Sequence, residues 1–215
     1  MRLHVSRTVV AIAGEEYVVV AGDTRKSSSL SILTRGASKV ARISDSAVFA
    51  ASGFDGDLQQ LQKILKSSAI RYRQRHGRQM GASALAQMLS NTLYFKRFFP
   101  YYAFCLVAGI DGDGRGCVYT FDAIGSKERT GYHAAGSGDA LIKPVLDNQL
   151  QTPSPLLHPP QPSTTTLSRE DAVDVVKDVF AGAGERDIFT GDGVELLMLS
   201  RDGSASREVM PLKRD

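Results

Sequence analysis

Asp23 and Lys39 are a carboxylate and an ammonium sixteen residues apart in a chain of 215. Such a pair has two uses: it can tune a nucleophile held beside it, or it can be a structural ion pair. The other chemistry-bearing groups offer less. Asp111-Gly-Asp-Gly-Arg-Gly116 suggests a calcium loop but lacks the closing glutamate and the spaced ligands, so it reads as a hairpin turn. His4, His76, His133 and His158 show no ligand spacing and read as surface or packing residues; no metal site and no cofactor are expected. Cys105 and Cys117 lie in apolar, β-prone runs and read as buried free thiols of a reducing compartment. Arg71, Arg73, Arg75 and Arg78 read as a solvated helix end favoured by the helix dipole.

The elements that must carry these groups follow from periodicity. Residues 8–13 and 17–21 are β-branched runs around the turn Gly14-Glu15-Glu16, which is hairpin patterning. Both are apolar on consecutive positions, so both faces of their sheet are expected to be covered. A strand over 47–51 ends at Ser52-Gly53. Leu58, Leu61, Ile64, Leu65, Ala69 and Tyr72 then recur at helical steps, with Gly77 closing the helix. A second helix starts near Ser83 and ends before Pro100. Strands over 103–110, 117–121 and 132–135 follow, then a helix with Leu141, Ile142, Val145 and Leu146 that holds Pro144 in its first turns. A last helix is capped by Ser168 with Asp171 in support, and strands over 194–199 and 207–212 end the pattern. Strands, two helices, strands, two helices, strands: two strand layers must meet, with a helix pair on each outer face.

Composition sets the bounds. Hydrophobic residues are 42% and charged residues 23%, which excludes a disordered chain and permits a large core. A net charge of +3 without a clustered basic stripe argues against a nucleic-acid partner. No run approaches the ~20 apolar residues of a membrane span. Met1 to Arg7 has no apolar stretch of the secretory kind, so an intracellular protein is expected. One domain over 1–215 is expected, with residues 151–166, which hold five of the eight prolines, as a long surface arm.

The order of elements, together with Ala21-Gly-Asp-Thr-Arg25, Lys39, Ala51-Ser-Gly53, Gly136-Ser-Gly138, Glu185-Arg-Asp187 and Thr190-Gly191, resembles a proteasome β-type subunit of the N-terminal-nucleophile hydrolase superfamily. The resemblance covers nearly the whole chain, the proline-rich arm being an insertion. It implies an α+β fold, a four-layer αββα sandwich of two packed antiparallel sheets flanked by helix pairs. In active members an N-terminal threonine supplies the nucleophile and, through its α-amine, the base, while a glycine amide stabilises the oxyanion. By position Asp23, Lys39 and Gly53 match the aspartate, lysine and oxyanion glycine. Ser137, Asp187 and Thr190 match the supporting shell, Thr190 standing where serine is usual.

The nucleophile does not match. The family's spacing back from Asp23 lands on Arg7, and Thr8 is one residue out of register, expected to face away from Lys39. Phe98-Phe-Pro-Tyr-Tyr102, Val118-Tyr-Thr-Phe-Asp122, Leu146-Asp-Asn-Gln149 and Val176-Lys-Asp-Val-Phe180 are most similar to the non-catalytic subunits at the sixth position of the β ring. The resemblance therefore implies a structural β subunit of the 20S core particle, cytoplasmic and nuclear, serving ubiquitin-dependent protein degradation. Its partners would be β subunits of the same and opposite ring and α-ring subunits, without nucleic acid or membrane. The alternative is an active threonine or serine hydrolase released by cleavage before Thr8 or Ser6. Candidate subunit contacts are Phe98, Phe99, Tyr101 and Tyr102, since five bulky residues in a row cannot all face one core, and Pro153, Pro155, Pro159 and Pro160 of the arm.

Overall fold

The computed structural model describes the backbone of residues 5–6 and all of residues 8–150 and 164–214. The chain opens with β1 (Val5–Ser6), β2 (Thr8–Ala13), β3 (Tyr17–Asp23), β4 (Lys26–Ser28), β5 (Ser31–Thr34), β6 (Val40–Ser44) and β7 (Ala47–Phe54). Helices α1 (Asp55–His76) and α2 (Ala82–Phe95) follow, then β8 (Ala103–Ile110), β9 (Gly116–Phe121), β10 (Lys127–Thr130) and β11 (Tyr132–Gly136). Helices α3 (Asp139–Leu150) and α4 (Arg169–Arg186) precede β12 (Gly193–Ser200) and β13 (Ala205–Pro211).

The strands form two antiparallel sheets. One runs β10-β9-β8-β7-β1-β4-β5, with β6 also pairing with β7; the other runs β11-β2-β3-β12-β13. Strand alternation sorts the side chains into three apolar layers. From β2, Val10 and Ile12 point outward to a core shared with Ile142 and Leu146 of α3 and Val176 and Phe180 of α4. Val9, Ala11 and Ala13 point the other way, into an inter-sheet layer of alanine, valine and leucine with Val48, Ala50, Leu106 and Ala108. A third core lies between the larger sheet and Leu61, Leu65, Leu85 and Leu89 of α1 and α2. The result is the four-layer αββα sandwich, and the consecutive apolar residues of β2 and β3 are those of strands buried on both faces.

Local signals account for the element ends. Gly77 takes φ 67° and caps α1 with its N–H on the Arg73 carbonyl. Ser168 caps α4 by accepting the Asp171 N–H at 3.1 Å. The Asp111 segment is the β8–β9 turn: Gly114, at φ 77°, donates to the Asp111 carbonyl, and the Asp111 side chain accepts the Gly112 N–H. Both cysteines are buried and unpaired.

Three features differ from the sequence reading. Strands β4, β6 and β10 carry too much Lys, Arg, Ser and Glu to read as strands, β5 is four residues long and mostly exposed, and β1 is only two residues long. The proline-rich segment is not surface throughout: Thr165 is buried and donates its N–H to the Ala13 carbonyl at 2.7 Å. Pro153, Pro155, Pro159 and Pro160 lie outside the described residues, as does Arg7.

Candidate functional site

Asp23 ends β3 fully buried, and three donors converge on it. Its Oδ1 accepts the Thr8 N–H at 2.9 Å and the Lys39 ammonium at 2.5 Å; its Oδ2 accepts the Arg25 N–H at 3.2 Å. Burial pushes the Asp23 carboxyl up, against the pull of Lys39 and the two amides. Lys39, equally buried, also donates to the Arg25 carbonyl at 2.7 Å. This half of the constellation is an ion pair sealed by main-chain hydrogen bonds.

The other half is built where two loops meet. Asp187 caps the C-terminus of α4, and its Oδ2 accepts the Ser137 hydroxyl at 2.5 Å and the Thr190 hydroxyl at 2.7 Å. Its Oδ1 accepts the Phe189 N–H at 3.1 Å. The β11–α3 turn and the α4–β12 turn are thereby tied together through one carboxylate.

Thr8 joins the halves. While its N–H serves Asp23, its hydroxyl accepts the Gly138 N–H at 3.1 Å and lies 2.7 Å from the Thr190 Oγ1. Thr190 gives its own proton to Asp187, so the Thr8 hydroxyl is the donor in that contact. On β2 the Thr8 side chain shares the outward face of Val10 and Ile12, which brings it to Thr190 and Gly138. Sequence reasoning set Thr8 aside as out of register; the signal that places it was the same alternation, followed to the face it does occupy.

Gly53 stands apart from this network. It lies in β7 at φ 131°, opposite Ser6 of β1, and a Cβ there would meet the Tyr102 carbonyl oxygen at 2.2 Å. Only glycine fits that approach. Gly53, Ser52, Gly136 and Ser137 border a cleft of about 340 Å³ with Tyr102, Phe104, His133 and Lys143. Burial, assisted by the Lys143 charge, pushes His133 down to about 4, so its imidazole is neutral at neutral pH.

A second charge cluster, unseen in the sequence, braces the site from behind. Arg25 is buried and donates to Asp192 at 2.9 Å and to the Ile188 carbonyl at 2.8 Å. Arg35 pairs with the same carboxylate. Against the cost of burial, the two guanidiniums hold the Asp192 carboxyl below its ordinary value. Asp192 adopts φ 68°, an uncommon backbone for a non-glycine residue, two positions after Thr190. Among the described residues no group of three or more His, Cys, Asp or Glu could hold a metal, and no helix is long and apolar enough to cross a membrane.

Comparison with known proteins decides the family. The profile of the family described as "Proteasome subunit" matches residues 4–199. The chain belongs to the proteasome subunit family. It is 56% identical over 208 residues to proteasome subunit beta type-1 of Arabidopsis thaliana, covering 97% of this chain and 93% of that protein. The proteins of the same name in Dictyostelium discoideum (45% identical, 91% and 82% covered) and Danio rerio (41% identical, 97% and 86% covered) are also similar. The sandwich is thus that of a proteasome β subunit, the family the motifs resembled.

Within that family frame the aromatic run has a distinctive placement. Phe98 and Phe99 are each 88% exposed, Tyr102 is half exposed, and Tyr101 packs partly onto the α1–α2 core. The Arg97 guanidinium lies 4.5 Å from the ring centres of both Tyr94 and Phe98. The arginines at 71, 73, 75 and 78 are solvent-exposed at the end of α1.

Proposed function

We propose that this proteasome β subunit is non-catalytic and structural, standing at the sixth position of the β ring of the 20S core particle. It would wall the proteolytic chamber and hold neighbouring subunits of both β rings and of the α ring, in the cytoplasm and nucleus, as part of ubiquitin-dependent degradation. One observation carries the reading: Thr8, which joins the two halves of the constellation, spends its N–H on Asp23 and its hydroxyl on Thr190 and Gly138.

That geometry also weighs against activity after cleavage before Thr8. A freed α-amine at Thr8 would lie against the Asp23 carboxylate, which favours the ammonium, and an ammonium cannot act as base. The Thr8 hydroxyl is buried and already committed. Asp23, Lys39, Ser137, Asp187 and Thr190 then serve as a retained polar frame that fixes loops.

Phe98, Phe99 and Tyr102 supply the exposed aromatic surface that a subunit contact uses. N-terminal sequencing of the chain from purified particles tests the proposal. A mature start before Ser6 is expected; a start at Thr8 or Ser6 would favour the hydrolase.

A further inference from the structure

The net charge of +3 conceals an uneven distribution. Residues 58–110 hold no Asp or Glu, and six Lys and Arg fall within residues 63–78: Lys63, Lys66, Arg71, Arg73, Arg75 and Arg78. All six are exposed, and none has a carboxylate partner among the described residues. Elsewhere exposed cations find one: Arg42 pairs with Asp45, Arg201 with Glu16, Arg207 with Glu195 and Lys213 with Glu185. The helix dipole accounts for Arg73 and Arg75, which stand in the last turn of α1, but not for Lys63, Lys66 or Arg78. Arg71 and Arg75 lie one turn apart and repel each other, an arrangement that by itself destabilises the helix. With 22 residues, α1 carries this end about 33 Å from Asp55, so the basic surface is separate from the cleft beside Gly53.

We propose that this end of α1 is a docking site for an acidic polypeptide segment of a separate protein, held by one aliphatic side chain and its flanking carboxylates. Lys63, Lys66, Ile70 and Arg73 recur at steps of three and four and therefore share one helix face. Ile70 is 59% exposed there, and beside it a cleft of about 320 Å³ opens between α1 and β6. Ile43, Ala69 and Ile70 make its apolar part, and Arg42 and Arg73 border it. The Asp45 carboxylate at the same rim already accepts Arg42 at 3.3 Å and Gln79 at 2.9 Å, which leaves Arg73 for a carboxylate from outside. The aliphatic lining favours a polypeptide over a single-stranded nucleic acid, whose bases stack on aromatic side chains. Tyr72, the aromatic residue of this stretch, already packs on His76, ring centres 4.5 Å apart. A small cleft bordered by charge suits a contact that salt screens and that exchanges, whereas a permanent subunit contact is larger and more apolar. The occupant is thus an extrinsic protein and not a ring neighbour.

The test uses the full chain, its Lys66→Glu/Arg73→Glu variant and a control, Lys96→Glu/Arg115→Glu, that reverses two exposed cations outside the patch. The probe is the fluorescein-labelled peptide Glu-Glu-Asp-Leu-Asp-Glu-Glu. Anisotropy should show saturable binding to the parent, weakened about ten-fold in the Lys66→Glu/Arg73→Glu variant and unchanged in the control. Ile70→Ser and replacement of the probe's leucine by serine should each weaken binding, and the two together no further than either alone. Raising salt from about 50 to about 300 mM should weaken binding to the parent several-fold. No saturable binding, equal binding by parent and charge-reversed variant, equal loss in the control, or salt-independent binding overturns the proposal. Tighter binding of a single-stranded RNA of about 20 nucleotides than of the peptide overturns the choice of a protein partner. Purified particles containing the parent should bind more probe than particles containing the variant. Equal binding by the two kinds of particle, or failure of the variant to enter particles, would place the patch at a subunit contact and contradict an extrinsic partner. These readouts concern α1 alone and are separate from the chemistry of Thr8.

Discussion

Thr8 donates its main-chain N–H to Asp23 Oδ1 at 2.9 Å, so the main chain at Thr8 is tied to the buried carboxylate of the site. Its hydroxyl is equally engaged, on the opposite half of the constellation. The polar frame closes around Thr8, the first residue of β2.

Replacing Thr8 by valine keeps the shape and removes the hydroxyl. The Gly138 N–H then loses its acceptor and Thr190 its donor, both buried. A loss of about 1–3 kcal/mol is expected. Urea unfolding of T8V against the parent measures it, and an unchanged midpoint would mean that the bridge carries no stability.

Lys39→Met leaves Asp23 as a buried carboxylate with only amide partners. Breaking a buried pair on one side costs about 3–5 kcal/mol. The double change Asp23→Asn/Lys39→Met should recover part of that loss, since no charge is then stranded. Denaturation midpoints of the two variants check the order, and a double variant less stable than Lys39→Met contradicts it.

His133 gives a pH signature. Its folded value is about 4 against an ordinary 6.5, so between these values the unfolded chain holds the extra proton. Stability is therefore fully present above pH 6.5, falls as pH drops toward about 4, and stops falling from this cause below that. The His133→Gln variant should lose this slope, and melting curves across that range would show it. An identical slope in both proteins would place the protonating group elsewhere.

Phe98 and Phe99 touch the α1–α2 core little, being 88% exposed. Phe98→Ser/Phe99→Ser is expected to shift the melting midpoint of the chain by less than about 0.5 kcal/mol in stability. Incorporation into particles, read by native gel against the parent, should fall several-fold. Full incorporation would remove this surface from the subunit contacts.

Much of this architecture was legible before the structure. The apolar runs of β2, β3, β7 and β8 and the helical steps from Leu58 to Ala69 announce buried strands and an amphipathic helix because burial is what those residues require. Ser168 and Gly77 mark helix ends because the cap and the left-handed turn demand such residues. The short strands β4, β5, β6 and β10 were hidden, since their positions are fixed by pairing with neighbours rather than by their own side chains. The site divided in the same way. Asp23, Lys39, Ser137, Asp187 and Thr190 stood out as motif positions, whereas the Arg25–Asp192–Arg35 cluster joins residues more than 150 positions apart through a backbone turn that no spacing reveals.

The central claim is that this subunit performs no threonine chemistry. Particles containing it should be treated with a threonine-directed covalent inhibitor and the separated subunits weighed by mass spectrometry. This chain should keep its untreated mass while catalytic subunits gain the adduct. An adduct on this chain mapping to Thr8 would contradict the account.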